Sequence, residues 1–134
     1  MLDMQGGLFP MMRLPVLLFI GGRLDSGNQA VPWIHLGDQI GALRFLLEND
    51  QMRGEFNLIS PTSTSNKEFM RPIASASHRP YWFPTPTILL CTILVEISSL
   101  VLEGGFSLPK RLLECRYEFR FPTIEAALQD LFKK

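Results

Sequence analysis

The chain is poor in charge. Only 19% of its 134 residues are Asp, Glu, Lys or Arg, and thirteen basic residues balance thirteen acidic ones. With zero formal charge and no run of like charge longer than two residues, no basic surplus points to nucleic acid. Cysteine is scarce as well. Cys91 and Cys115 stand far apart, with no Cys or His nearby at metal-ligand spacing. Two reduced thiols in a cytoplasmic protein are the expected state. Neither G-x-G-x-x-G nor G-x-x-x-x-G-K-[ST] occurs, so both common phosphate cradles are absent. There is no G-x-S-x-G elbow to support a Ser-His-Asp set, and the two histidines, His35 and His78, do not make a metal site.

Long hydrophobic runs are also lacking. Ile88–Leu102 is the one serious membrane candidate, and at fifteen residues it falls short of the roughly 20 needed to span. Glu96, Ser98 and Ser99 interrupt it, so a buried helix pair is expected and no membrane partner. Asp3 ahead of the first basic residue, Arg13, and Pro15 inside the apolar run argue against a secretory signal at the N-terminus.

What is present is a globular composition: 46% hydrophobic residues, with ten phenylalanines to fill a modest core. Pro10 and Pro15 limit any helix before residue 20 to short pieces. A polar loop at 21–30 leads into an expected strand, Val31–Leu36. Trp33 and His35 fall on one face of that strand, because side chains alternate with period two. Asp38 is placed to cap a helix over Gln39–Glu48, with Ile40, Leu43, Phe45, Leu46 and Leu47 as its apolar face. Glu55–Ile59 reads as a second strand. Ser65 and Glu68 form a capping box ahead of a helix over 66–77, interrupted by Pro72. A helix capped by Thr85 is expected from Pro86 to about Ile97, followed by a break and a second piece ending at Gly104-Gly105. A short helix over Leu108–Cys115 starts at Pro109, Tyr117–Phe121 alternates as a strand, and Thr123 caps a terminal helix over Ile124–Phe132. The fold class is α/β, a few short strands with a helix-rich C-terminal half.

The candidate ligand groups cluster at one place. His35 can donate a hydrogen bond to a ligand or only bond a backbone group. Trp33 can line a pocket or only pack. Arg23 and Asn28, in the loop before the strand, can meet a phosphate or a hydroxyl, or simply be solvated. Lys110-Arg111 can meet an anion or open a solvated helix.

The order GG-x-L-x-S-G-x-Q-x-x-x-W-I-H-x-x-D in Gly21–Asp38 resembles the atypical short-chain dehydrogenase/reductases known as NAD(P)-dependent epimerases. Some bacterial members carry the label "cell division inhibitor". The likeness continues through Gly54–Ser65, Asn66, Glu68, Phe69, Arg79-Pro80, Leu102–Gly105, Leu108–Leu112 and Tyr117–Leu131, and so covers almost the whole chain. Pro72 and the more apolar stretches Leu17–Ile20 and Ile93–Ile97 depart from the family pattern.

The resemblance implies the C-terminal part of a Rossmann-type epimerase fold, without the main cofactor-binding half. It implies the end of the epimerase-like region over 1–77 and a helical C-terminal region over 78–134. The family's glycine-rich loop and Tyr-x-x-x-Lys would lie upstream of Met1. Tyr81 and Tyr117 are followed four residues later by Thr85 and Phe121, not lysine. No catalytic residue and no cofactor is therefore expected for this chain alone, and NAD(P) is implied for the full-length family. Arg23, Asn28, Trp33 and His35 would contact a nucleotide-sugar-like substrate in the complete enzyme. The rival expectation is a non-enzymatic interaction module that self-associates through exposed apolar surface.

Overall fold

The computed structural model describes residues 1–4, 6, 9–17, 28, 30–78 and 107–133. Five helices lie among them: α1 (Phe9–Leu17), α2 (Leu36–Glu48), α3 (Asn66–Ala76), α4 (Lys110–Glu114) and α5 (Ile124–Lys133). The expected helix from Pro86 and the apolar run to Leu102 lie outside the described residues. No described helix is long and apolar enough to cross a membrane.

The core is made where α3 packs against α5 on one side and α1 on the other. Phe9 and Val16 of α1, Phe69, Met70 and Ile73 of α3, and Ile124, Ala127, Leu128 and Leu131 of α5 are all buried there. The buried face of α5 is the one its 3.6-residue periodicity dictates. Thr123 caps α5, its Oγ1 accepting the Ala126 N–H at 3.4 Å.

Helix α3 begins as the sequence demands. Ser65 Oγ accepts the Glu68 N–H at 3.4 Å, and the Glu68 carboxylate accepts the Ser65 N–H at 2.9 Å, so two otherwise orphaned donors are satisfied reciprocally. Pro72 does not shorten the helix, which runs on to Ala76. At its end His78 takes a φ of 52°, in the left-handed region.

Three expected strands do not form. Among the described residues β-pairing is confined to two isolated bridges, Leu2 with His35 in parallel and Ala30 with Ser65 antiparallel. Each extended segment gives its polar groups to something other than a ladder. Over 31–36, Val31 donates to the Thr64 carbonyl and Ser60 to that of Trp33, while Leu2 donates to the Ile34 carbonyl and accepts from Leu36, so the pairing on each side stops after two bonds. Over 53–59, Arg111 takes the carbonyls of Arg53 and Glu55 at 2.6 and 2.7 Å, and its guanidinium lies 4.2 Å over the Phe56 ring. Gly54, at φ +90°, makes the turn that brings both carbonyls to one side chain. Over 117–121, Tyr117 donates back to the Leu112 carbonyl, and the N–H groups of Arg120 and Phe121 go to a carboxylate. The helix-rich part of the fold expectation stands, and the strands reduce to extended connections.

Helix α2 sits differently from the sequence reading. Only Asp38 and Ala42 of it are buried. Ile40, Leu43 and Leu47, expected to face a core, are 57%, 46% and 82% exposed.

Candidate functional site

The segment Ala30–His35 is fixed at both edges by the backbone bonds above, and its side chains are consequently placed with little freedom. Trp33 is buried within the main core, and its Nε1 donates to Thr64 Oγ1 at 2.9 Å. A buried indole N–H needs such a partner, and Thr64 is itself buried. One edge of Trp33 also lines a dent formed with Val31, Ser60, Thr62, Ser63 and Ser107. Its volume is about 10 Å³. That is room for one water, not for a ligand, which needs roughly 300 Å³ or more. These residues amount to one wall.

His35 is buried too. It, not Asp38, is the N-cap of α2: its Nδ1 accepts the Gly37 N–H at 3.1 Å. An Nδ1 that accepts carries no proton, so the ring proton of this tautomer sits on Nε2. Nε2 lies 3.5 Å from Asp130 Oδ2 on α5, and the imidazole packs against Phe121 with ring centroids 4.0 Å apart. His35 thereby ties the start of α2 to the face of α5.

Asp38 does different work from the cap expected of it. It is 1% exposed, and its two carboxylate oxygens accept the backbone N–H groups of Arg120 and Phe121 at 2.7 and 2.9 Å. Its own carbonyl accepts the Tyr117 hydroxyl at 3.0 Å. Burial, and then the neighbouring Asp38 charge, push the Tyr117 phenol above its ordinary value. Asp38 is displaced from the cap because His35 holds that position three residues earlier.

Of the four ligand candidates, the structure brings Trp33 and His35 into one buried neighbourhood. Asn28 is exposed, and Arg23 lies outside the described residues. Arg111 is engaged with the 53–56 turn. Sequence reasoning missed Thr64, Phe121 and Asp130 as the partners of Trp33 and His35. No spacing signal links residues 31 to 95 positions apart. A wider open groove of about 510 Å³ lies between α3 and α5, lined by Pro72, Ser75, His78, Glu125, Leu128 and Phe132 among others. None of the three described candidates, Asn28, Trp33 and His35, is among its lining residues. Among the described residues no group of three His, Cys, Asp or Glu could hold a metal ion.

Comparison with known proteins gives this geometry a context. Residues 85–131 match the model of a family described as a domain of unknown function, DUF1731. The mouse (Mus musculus) epimerase family protein SDR39U1 is 38% identical over 127 residues, 94% of this chain and 43% of that protein. The Bacillus subtilis epimerase family protein YfhF is 35% identical, over 95% of this chain and 42% of its own length. The crystal structure of human epimerase family protein SDR39U1 with NADPH superposes with a TM-score of 0.87 at 34% identity, over 98% of this chain and 45% of that one. A nucleoside-diphosphate sugar epimerase from Corynebacterium glutamicum, at 22% identity and a TM-score of 0.72, shares the fold. The chain spans less than half the length of the curated relatives it matches.

Proposed function

We propose that this chain, which is related over nearly its whole length to the C-terminal part of the epimerase family proteins, is the substrate-side portion of an NAD(P)-dependent, nucleotide-sugar-epimerase-like oxidoreductase. One observation carries the reading: a TM-score of 0.87 over 98% of the chain to a relative whose structure holds NADPH, of which the chain accounts for 45%. The division of labour follows from what each part contains. This sequence has no glycine-rich phosphate loop and no Tyr-x-x-x-Lys, so hydride transfer belongs to residues outside it. The nucleotide-sugar class rests on fold-level analogy.

The wall formed by Trp33 with Thr62, Ser63 and Ser107 supplies what a sugar recognises: an aromatic edge beside hydroxyl-bearing residues. Arg23 and Asn28 precede that wall in the chain and supply a cation and an amide for the phosphates. His35 holds the wall in place through α2 and Asp130.

The experiment is amide chemical-shift mapping of the isotope-labelled chain with a UDP-sugar, and separately with NADPH. The expected result is weak UDP-sugar shifts concentrated at residues 30–35, 59–64 and 107, and no saturable NADPH shifts. Shifts absent from these positions, or confined to the α3–α5 groove, overturn the assignment of the wall.

A further inference from the structure

Arg111 stands in α4 between two anchors. Pro109 and Leu112 are both fully buried, so the turn of helix that carries Arg111 is fixed to the core. The Arg111 side chain lies on the surface, yet its guanidinium is held on both edges and on one face. Nη1 donates to the Glu55 carbonyl at 2.7 Å, Nη2 donates to the Arg53 carbonyl at 2.6 Å, and the Phe56 ring lies 4.2 Å away. A planar guanidinium offers two donors at fixed spacing and a face for stacking; an ammonium on a flexible stem does not. Gly54 completes the fit, because a Cβ there would stand 2.8 Å from Arg111 Nη1.

This clasp joins the two stretches that carry the wall. Ser107 lies just before Arg111, with buried Pro109 between them. On the other side, the clasped 53–56 turn leads to Ser60, whose N–H donates to the Trp33 carbonyl at 2.6 Å. The Ser60 hydroxyl donates to the Pro122 carbonyl at 3.1 Å and accepts the Thr62 N–H at 3.3 Å, which starts the Thr62–Ser63 rim beside Trp33. Ser107 and that rim line the same dent, and Arg111 itself does not line it. With a volume of about 10 Å³, the dent changes its fit when either edge moves.

We propose that Arg111 is the positioning residue that sets the gap between Ser107 and the Thr62–Ser63 rim. That a sugar enters the gap rests on the proposed function above. The charge of Arg111 is spent on two backbone carbonyls and not on the ligand, so the fork, not the charge, is what matters.

The test is amide-shift titration of the labelled full chain with UDP-glucose, for the natural protein, Arg111→Lys, Arg111→Ala and Gly54→Ala. Before ligand is added, Arg111→Lys is expected to shift the amides of 59–63 and 107 and to leave those of α5 in place. Each variant is expected to raise the dissociation constant about fivefold, the scale on which a support acts through packed neighbours. Arg111→Lys and Arg111→Ala are expected to lose equally, and Gly54→Ala is expected to add nothing in the Arg111→Lys background. Natural-chain binding that all the variants retain overturns the role of Arg111 and leaves the functional reading intact. Free-chain shifts at 59–63 and 107, with no UDP-glucose response at the wall of the natural chain, support the positioning and count against the functional reading. Two further results overturn the proposal. One is a Lys variant that binds like the natural chain while the Ala variant does not, which marks a charge contact with the phosphates. The other is a Lys variant that unfolds, which marks a clasp that holds the fold and not the gap.

Discussion

The Asp38 carboxylate accepts the backbone N–H of Phe121 with one oxygen, 83 residues away in sequence, at 2.9 Å. Its other oxygen takes the neighbouring N–H of Arg120. A 1% exposed carboxylate that serves two backbone donors stands in for a strand neighbour, and it fixes where the 117–121 segment crosses α2. Charge-assisted bonds of this kind are worth about twice neutral ones. Asp38→Asn replaces one acceptor by an amide that faces an N–H. It is expected to cost about 2–3 kcal/mol, one bond to a charged acceptor lost and one donor left unsatisfied. Urea unfolding of the two proteins measures it.

Gly41 gives a second test of the same junction. A Cβ built there would stand 2.5 Å from the Tyr117 hydroxyl and 3.7 Å from the ring carbon that bears it. Gly→Ala inside a helix ordinarily gains about 1 kcal/mol. Gly41→Ala in the natural chain is expected to lose stability, because the hydroxyl must abandon its bond to the Asp38 carbonyl. In a Tyr117→Phe background the obstacle is gone, and the same substitution is expected to be neutral or stabilising. Thermal melts of the four proteins close the double-mutant cycle.

The capping box of α3 sets a pH dependence. The Ser65 backbone N–H, and then the Ser65 hydroxyl, hold the Glu68 carboxyl below its ordinary 4.5. A depressed acid contributes stability that is fully present above its unfolded-state value and is lost as pH falls through its folded-state value. The stability difference between the natural chain and Glu68→Gln is therefore expected to be constant above about pH 5 and to shrink below pH 4.5. Ser65→Ala is expected to cost about 1 kcal/mol at neutral pH. Unfolding curves across that pH range check both.

The buried Trp33 indole N–H donates to Thr64 Oγ1 at 2.9 Å. Thr64→Val keeps the shape and removes the acceptor, which strands a buried donor at about 1–3 kcal/mol. Denaturant unfolding followed by tryptophan fluorescence reads the loss, with Trp82→Phe as the background so that Trp33 alone reports.

Local signals in this sequence proved the most legible. The box at Ser65 and Glu68, Pro109 ahead of α4, Thr123 ahead of α5 and the buried stripe of α5 are all where short-range chemistry puts them. The strands at 31–36, 55–59 and 117–121 failed for one common reason. Alternation describes a face, but a ladder needs a neighbour. Here the backbone groups are met by Leu2, by Arg111 and by Asp38, from 32 to 83 residues away. The same limit hid the site. Asp38 after an expected strand looks like a cap, and nothing local reveals that His35 takes that place and frees the carboxylate for Phe121. Ile40, Leu43 and Leu47 carried the periodicity of a core face, but periodicity cannot say whether the covering partner is in the same chain.

The proposed function puts the substrate side in this chain and the cofactor side in other residues. Fluorescence titration of the purified chain with NADPH tests it most directly. The expected signal rises in proportion to added NADPH, with no enhancement and no saturation. A saturable enhancement by this chain alone, with a dissociation constant in the micromolar range or tighter, contradicts the claim.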